Sequence, residues 1–149
     1  MTISIRKATE QDFEEVFILM KEFSLFQKTP EKLAITPGQM IREKNIFKCL
    51  IAVVDNKTIA GFASYFFTYY SWSGKGLYLD DLYVQPAFRH LDIGRKLLDA
   101  VIEIARQHEC KRMRWLVSGW NANAIDFYKK IGATVDSSDI NCELIINKN

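Results

Sequence analysis

The sequence predicts a mixed α/β fold in which helices cover both faces of one central sheet. Short apolar stretches rich in β-branched and aromatic residues recur along the chain, and amphipathic segments with helical spacing separate them. The resulting order is β-α-(α)-β-β-β-α-β-α-β, and strands that alternate with helices in the second half favour helices on both sheet faces. The chain contains no repeat, low-complexity segment or linker, so we expect one domain over residues 1–149.

Capping residues delimit the first strand and the first helix. The alternating stretch ISIRKA predicts a short strand at the start of the chain. Thr9 and Asp12 stand in the spacing of a capping box. Apolar residues then recur at helical spacing, which predicts a first helix over about Glu10–Phe23.

A short helix and a β-hairpin are predicted next. Thr36 followed by Pro37 is typical of a capped helix start, because the first helical position tolerates a residue without an N–H. The stretches FKCLIAVV and TIAGFASYFFTYYSW are rich in strand formers and flank Asp55, Asn56 and Lys57. This arrangement predicts an antiparallel hairpin.

The second half alternates strands and helices. An apolar strand leads into a basic turn and then into an amphipathic helix with Ile93, Leu97, Val101, Ile104 and Ala105 on one face. Gly132 is expected to end a later helix. The predicted elements are, in order, the strand KGLYLDDLYV, the turn RHLDIG, the helix GRKLLDAVIEIARQH, the strand RMRWLVS, the helix NANAIDFYKKIGA and the strand CELIINK.

Composition argues against several classes of function. The chain is 48% hydrophobic and 26% charged, and 20 basic against 18 acidic residues leave a net charge of +2, which gives no general case for nucleic acid or an anionic membrane. Three scattered cysteines and two histidines, His90 and His108, make a disulfide framework or a metal site an unfavourable interpretation. Without a signal-like or membrane-spanning apolar segment, we expect a cytoplasmic protein that uses no metal.

Two motifs and the order of the elements resemble the GNAT superfamily of N-acetyltransferases. The motifs are LDDLYVQPAFRHLDIGRKLLDAV and NANAIDFYKKIGA. Arg89 and Gly94 match the family's acyl-CoA signature, Gln/Arg-x-x-Gly-x-Gly/Ala, but Asp92 replaces its first glycine. The stretches FFTYYSWSGKGLYLDDLYV and WNANAIDFYKKIGA are most similar to the diamine (spermidine/spermine) N-acetyltransferase branch.

The resemblance implies a fold and a reaction. The fold would be a GNAT-type, mostly antiparallel sheet flanked by helices on both faces. The reaction would be direct transfer of acetyl from acetyl-CoA to a small cationic amine, such as a diamine, a polyamine or an amino-acid-like amine. The family's habit and the exposed-looking aromatics of SYFFTYYSW also suggest a homodimer.

A helix that begins after a basic turn is suited to a pyrophosphate, because its first N–H groups are free and carry partial positive charge. The resemblance adds backbone contacts with the pantetheine arm from the preceding strand and a contact from Asn121. We expect Asp92 to cap the helix with its carboxylate while the loop still holds the pyrophosphate. The residues predicted at the cofactor are Leu82, Tyr83, Val84, Arg89, His90, Leu91, Asp92, Ile93, Gly94, Arg95, Asn121 and Ala124.

The resemblance assigns catalytic roles to Tyr128 and Asp80. The phenol of Tyr128 is suited to protonate the departing thiolate. An amine with a pKa near 10 is almost entirely protonated at neutral pH and needs an acceptor, and Asp80 aligns with the family's residue for that step. Asp80 and Asp81 are consecutive on a strand and point to opposite faces unless a bulge intervenes. Asp81 would therefore attract a cationic substrate or make a structural contact.

The acceptor and the exact activity stay open at this level. Trp72 and Tyr70 either wall the amine pocket or pack at a dimer interface. Residues 21–40 balance their acids with lysines, which counts against an anionic channel for long polyamines. Acetylation of a protein or peptide lysine and non-catalytic binding of acyl-CoA remain the alternatives.

Overall fold

A computed structural model describes residues 1–147. The contacts divide the chain into two compact units, one from Met1 to Trp115 and the other from Leu116 onward.

The first unit is built on one five-stranded sheet in the order β1-β2-β3-β4-β5. The first four strands are antiparallel to their neighbours, and β5 runs parallel to β4. This confirms the mixed, mostly antiparallel GNAT-type sheet. The strands are β1 Ile3–Lys7, β2 Lys48–Val54, β3 Thr58–Tyr70, β4 Gly74–Val84 and β5 Met113–Arg114.

Three helices belong to this unit: α1 Phe13–Phe26, α2 Pro37–Arg42 and α3 Ile93–Gln107. Helices α1 and α2 pack on one sheet face, where Val16 and Met40 join the alternating β2 residue Ile51 in one buried cluster. The intervening β2 residues are also buried, and α3 contacts β2, β3 and β4. Strand β2 is therefore apolar throughout because both of its faces are covered.

The capping residues set the helix starts with small shifts. Residues 10–12 form a 3₁₀ turn rather than the first turn of α1, because the carboxylate of Asp12 accepts the N–H of Thr9 at 2.8 Å and the guanidinium of Arg6 at 2.8 Å. Helix α1 then continues three residues beyond the predicted end at Phe23. The predicted cap of α2 is confirmed, since Thr36 Oγ1 accepts the N–H of Gln39 at 3.2 Å.

The predicted β2–β3 hairpin is also confirmed. Asp55 and Asn56 both have φ of 54°, the left-handed conformation that a two-residue hairpin turn requires. Asparagine and aspartate reach this conformation at lower cost than most residues with a Cβ atom.

Over its described residues, 116–147, the second unit contains one helix, α4 Ala122–Lys130. The side chain of Asn121 caps its start by accepting the N–H of Ala124 at 3.2 Å, and Gly132, with φ of 97°, follows its end as predicted.

Two strand predictions fail at the end of the chain. RMRWLVS is reduced to the two residues of β5, and no strand forms over Cys142–Asn147; Lys148 of that predicted strand lies outside the described residues. The side chains of Leu144 and Ile146 are 82% and 79% exposed. An apolar stretch adopts a strand only where a sheet edge pairs with it, and local composition does not report that edge.

Candidate active site

A β-bulge in β4 brings the two consecutive aspartates together. Ser64 of β3 pairs with Asp81, whereas the next residue, Tyr65, pairs with Leu79, so Asp80 is the extra residue of β4. A bulge interrupts the strict alternation of side chains. Asp80 and Ser64, the cross-strand partner of Asp81, consequently line the same cavity. The bulge is the exception to alternation that the sequence left open. Asp81 itself, predicted at the substrate, is not among the residues that line the cavity.

The cavity has a volume of about 300 Å³ and lies between the sheet and the α2 region of the first unit. Asp80 and Ser64 supply polar groups on the sheet side. The opposite wall is mostly apolar. The lining residues are Ile35, Met40, Glu43, Ile46, Phe47, Lys48, Ser64, Tyr65, Phe66 and Asp80.

Burial raises the pKa of both aspartates. For Asp81 burial is the larger cause and the neighbouring charge of Asp80 adds to it, so its pKa rises from 3.8 to about 7. Burial also raises the pKa of Asp80. Asp80 keeps a solvent-exposed face at the cavity, yet the surrounding protein atoms disfavour its charged form. A carboxylate with a raised pKa is a stronger base, and one placed at a cavity can accept a proton from a bound cation.

The strand that carries the aspartates has an open edge next to them. Strand β5 pairs only with Leu77 and Tyr78, so the β5 side of the rest of β4 has no strand partner within residues 1–147. The N–H of Gln85 donates to Ala60 of β3, and alternate residues face opposite edges. Leu82 and Val84 therefore present their backbone groups to the open edge.

Tyr83 has the opposite orientation and departs from the predicted backbone contact. Its carbonyl lies so close to Gly61 of β3 that a Cβ atom at Gly61 would sit 2.6 Å from the oxygen. Its side chain is buried, stacks on Phe23 and donates its hydroxyl to Glu22 at 3.2 Å. Tyr83 thus joins β4 to β3 and α1, and its backbone faces away from the open edge.

Arg89 is held by the protein itself. Its Nε donates to the carbonyl of Val84 at 2.9 Å, and its guanidinium carbon lies 5.1 Å from the centre of the Phe26 ring and 5.7 Å from that of Tyr83. These contacts fix the path of the chain after β4. They also occupy one of the open-edge carbonyls that the sequence assigned to the pantetheine arm.

The turn into α3 differs from the predicted cap. Asp92 has φ of 62° and ψ of 24° and makes no side-chain capping hydrogen bond. The prediction that Asp92 caps α3 is wrong. Asp92 has a left-handed backbone conformation and connects the 3₁₀ turn Pro86–Leu91 to the helix. The family's glycine suits that conformation, and aspartate tolerates it. The Asp92 carboxylate consequently takes none of the first-turn N–H groups.

The first turn of α3 combines a buried anchor with an exposed charge. Ile93 is fully buried, whereas His90 and Arg95 are exposed. Arg95 pairs with Asp99 through a 2.9 Å contact along the same helix. A Cβ atom at Gly94 would meet only Val84, at 3.8 Å. The N–H groups at the start of α3 keep the partial positive charge of a helix N-terminus.

The second unit holds Tyr128, Asn121 and Ala124. Tyr128 lies on α4, is buried, and its ring centre is 5.5 Å from that of Phe127. Burial raises the pKa of its phenol, so the hydroxyl is protonated at neutral pH. Asn121 and Ala124 form the N-terminal cap of the helix, a structural role that the resemblance to known acetyltransferases did not indicate.

The two aromatic residues predicted at the substrate do not line the cavity. Trp72 lies in the turn between β3 and β4 and is 99% exposed. Arg112 and Arg114 lie over the ring of Tyr70, at 5.9 and 5.5 Å. The ring of Tyr70 therefore already makes cation–π contacts with two arginines of the protein.

Sequence reasoning missed two features of the site. Glu22 accepts hydrogen bonds from Tyr83 and, at 2.9 Å, from Gln85, and so ties α1 to the end of β4. Ser64 is the polar residue that β3 buries at the cavity. A lone serine within the apolar stretch GFASYFF is the one signal that would have marked it.

Within residues 1–147 no group of three or more histidine, cysteine, aspartate or glutamate side chains is arranged to hold a metal ion. None of the helices in this part of the chain has the length and apolarity that crossing a bilayer requires. The predictions of metal-free chemistry and of a cytoplasmic location stay predictions.

Comparison with known proteins places these features in a family. The family model for GNAT acetyltransferases matches residues 8–133. The human spermidine/spermine N(1)-acetyltransferase-like protein 1 is 37% identical over 91% of the chain, which spans 21% of that relative's length. The bovine thialysine N-epsilon-acetyltransferase is 30% identical over 88% of the chain and 84% of its own length. An Arabidopsis thaliana L-ornithine N5-acetyltransferase is 36% identical over 55% of the chain and 36% of its own length.

Solved structures show the same fold. An integron cassette protein from the mobile metagenome of V. cholerae has a TM-score of 0.77, with 24% identity over 99% of this chain and 94% of its own. An aminoglycoside acetyltransferase from an uncultured soil metagenomic sample has a TM-score of 0.79, with 18% identity over 97% of each chain. The match to the family model over most of the chain, with these relatives, shows that this protein belongs to the GNAT acetyltransferase family.

Proposed function

We propose that this protein transfers the acetyl group of acetyl-CoA to the amine of a small molecule bound in the cavity beside Asp80. The observation that carries the proposal is the β4 bulge at Asp80, which lines the mostly apolar cavity just before the open edge of the same strand. The names of the relatives refer to acetyltransferases of spermidine or spermine (as a like protein), thialysine and ornithine, and these amines share an amino group on an alkyl chain.

The two ends of the reaction need a proton acceptor and a proton donor. Asp80 accepts, directly or through water, the proton that the ammonium form of the acceptor must lose before its nitrogen can attack the thioester carbonyl. Acetyl-CoA supplies the activated acetyl group, and the new C–N bond replaces the C–S bond. Tyr128 then donates its phenolic proton to the departing thiolate. The nitrogen loses its second proton as the amide forms, and that proton restores the phenol of Tyr128, so the one net proton of the reaction is the one that Asp80 accepts. The reaction requires neither a metal nor a covalent acyl-enzyme.

Asp81 is proposed to store the proton that Asp80 receives. Its pKa of about 7 leaves it about half protonated at neutral pH, and the charge of Asp80 contributes to that value. Two interacting carboxylates titrate as a pair, so a proton bound by one makes it easier for the other to bind a proton.

The cofactor side of the proposal uses backbone rather than side chains. The open edge at Leu82 and Val84 suits an extended arm that adds like a strand, although Arg89 already occupies the Val84 carbonyl. The first-turn amides of α3, from Ile93 to Arg95, suit the pyrophosphate. His90 is exposed beside them. Asn121 and Ala124 are proposed to contact the arm through groups that the helix cap does not use.

A thiol-release assay with acetyl-CoA and a panel of amines tests the function. The expected result is stoichiometric release of CoA and formation of an N-acetyl product for at least one small amine. Binding of acetyl-CoA without turnover of any amine would identify a non-catalytic binding domain instead. Turnover restricted to lysine within a peptide would replace the small-molecule acceptor by a protein.

The proposal extends to the state of the protein in the cell. We infer a single acetyltransferase domain over residues 1–149 that works in the cytoplasm without nucleic acid or membrane. We also infer a homodimer, which the exposed aromatic side chain of Trp72 in the turn after β3 supports. Light scattering at low micromolar concentration should give twice 17.3 kDa; a mass near 17.3 kDa would reject the dimer.

A further inference from the structure

Apolar side chains form most of the wall of the cavity beside Asp80, and the charged residues Glu43 and Lys48 also line it. Five of the lining residues are large and apolar: Ile35, Met40, Ile46, Phe47 and Phe66. Ile46 is 73% exposed and Phe66 is 42% exposed, so the cavity leaves apolar surface in contact with water. An acceptor with an apolar body would cover that surface.

Acidic residues contribute little away from the aspartates. The segment 21–40 reaches the cavity only through the apolar residues Ile35 and Met40. Glu22 instead accepts hydrogen bonds from Tyr83 and Gln85 at the end of β4. Glu43, directly after α2, is the one further acid among the lining residues, and it is exposed to solvent.

The preferred acceptor depends on whether an exposed ion pair or the burial of an apolar chain changes affinity more. An ion pair between an exposed carboxylate and a second ammonium changes affinity by less than about fivefold, because water screens it. That second ammonium would also lose hydration beside the apolar wall. Burying the apolar chain of an amine on the same wall changes affinity by about tenfold or more.

We propose that the acceptor is a primary monoamine with an apolar body, whose ammonium lies at Asp80 and whose alkyl or aryl group packs on Ile46, Phe47 and Phe66. This inference rests on the proposed function and narrows its acceptor to one class. A second positive charge at the far end of the chain then weakens binding, since it brings an ammonium to the apolar wall.

A matched pair of acceptors tests the inference directly. Pentylamine and 1,5-diaminopentane have the same carbon chain and differ by one terminal amine. The wild-type protein should use pentylamine with a kcat/KM about tenfold higher, and phenethylamine should do at least as well as pentylamine. A higher kcat/KM for 1,5-diaminopentane would overturn the inference while leaving acetyl transfer intact.

Three variants test which residues cause the preference for a monoamine. Phe66→Ala should raise the KM for pentylamine severalfold without changing the Kd of acetyl-CoA. Tyr69→Ala is the matched control. Tyr69 lies on the same strand, is 82% exposed and does not line the cavity. Its replacement should change neither the KM for pentylamine nor the Kd of acetyl-CoA. Glu43→Gln should not lower kcat/KM for either amine.

The outcomes separate the two levels of the proposal. Loss of diaminopentane turnover in Glu43→Gln would show that the second ammonium is recognised and would overturn the monoamine assignment. Equal effects of Phe66→Ala and Tyr69→Ala would do the same, since the apolar wall would then have no special part. Failure of the wild type to acetylate any amine would instead remove the proposed function, and the acceptor assignment would fall with it.

Discussion

At the residue scale, the two groups proposed to move protons are both surrounded by protein. Tyr128 and Asp80 each have a raised pKa for the same reason, which is that burial disfavours the charged form. The consequences differ because one group must stay protonated and the other must accept a proton. A buried phenol keeps its proton at neutral pH, and a buried carboxylate becomes the stronger base.

Replacing Tyr128 by phenylalanine removes the proposed proton donor and keeps the buried ring. The variant should lower kcat by roughly 10²–10⁴, the usual scale for loss of a general acid, and should leave the Kd of acetyl-CoA nearly unchanged. Steady-state kinetics and calorimetry measure the two effects. The exposed Tyr69→Phe is the matched control, and a kcat equal to wild type in Tyr128→Phe would contradict the role.

Replacing Asp80 by asparagine removes the proposed proton acceptor at nearly constant volume. The variant should lose kcat/KM most near neutral pH and recover part of it at higher pH, because more of the amine is then already neutral. A pH profile of kcat/KM for wild type and variant measures this. A loss of the same size at every pH would assign Asp80 to substrate positioning.

At the element scale, the joint between β4 and α3 is decided by backbone conformation. The left-handed Asp92 lets the chain pass from the 3₁₀ turn into α3 without a side-chain cap. The contacts of Arg89 with Val84, Tyr83 and Phe26 hold the same joint from the other side. The turn therefore keeps its shape although the family's glycine is absent.

Replacing Asp92 by glycine or asparagine tests the cost of its charge beside an anion. Both variants should tighten acetyl-CoA binding by a few-fold to tenfold at low salt and by less at high salt, since a charge about 8 Å from the ligand contributes roughly 0.5–2 kcal/mol. Calorimetric Kd values at two salt concentrations measure this. Glu103→Gln is the control, because it removes one charge from α3 about 15 Å along the helix.

The stability of these variants should change little. Glycine relieves the cost of a left-handed conformation but also frees the unfolded chain, so the free energy of unfolding should shift by less than about 1 kcal/mol. Asparagine tolerates the same conformation and should match the wild type. Tighter acetyl-CoA binding by the wild type than by both variants would mean that the carboxylate has a positive role.

At the scale of the whole molecule, the burial of Asp81 makes stability depend on pH. Burial, and then the neighbouring charge of Asp80, raises the pKa of Asp81 from 3.8 to about 7. The folded state therefore binds this proton more tightly than the unfolded state does. That contribution to stability is fully present below pH 3.8 and is lost as the pH rises through about 7.

Replacing Asp81 by asparagine should consequently stabilise the protein at high pH and not at low pH. Relative to wild type, the free energy of unfolding should be higher by about 1–3 kcal/mol at pH 8, and this gain should disappear toward pH 4. Urea unfolding at a series of pH values measures the difference. Asp99→Asn on the exposed face of α3 should show no such trend. A pH-independent difference for Asp81→Asn would contradict the raised pKa.

The sequence by itself determined the order of the elements as far as α4, the cap at Thr36, the Asp55–Asn56 turn and the position of Gly132, because these depend on neighbours along the chain. It also determined the family, since the motifs around Asp80 and Tyr128 are contiguous. Only the tertiary structure decided the bulge at Asp80 and the hydrogen bond from Arg89 to the carbonyl of Val84. It also decided the open edge of β4 and the absence of a strand at Cys142–Asn147. Each of these depends on which strand lies beside which, and pairing between distant segments is not encoded in local composition.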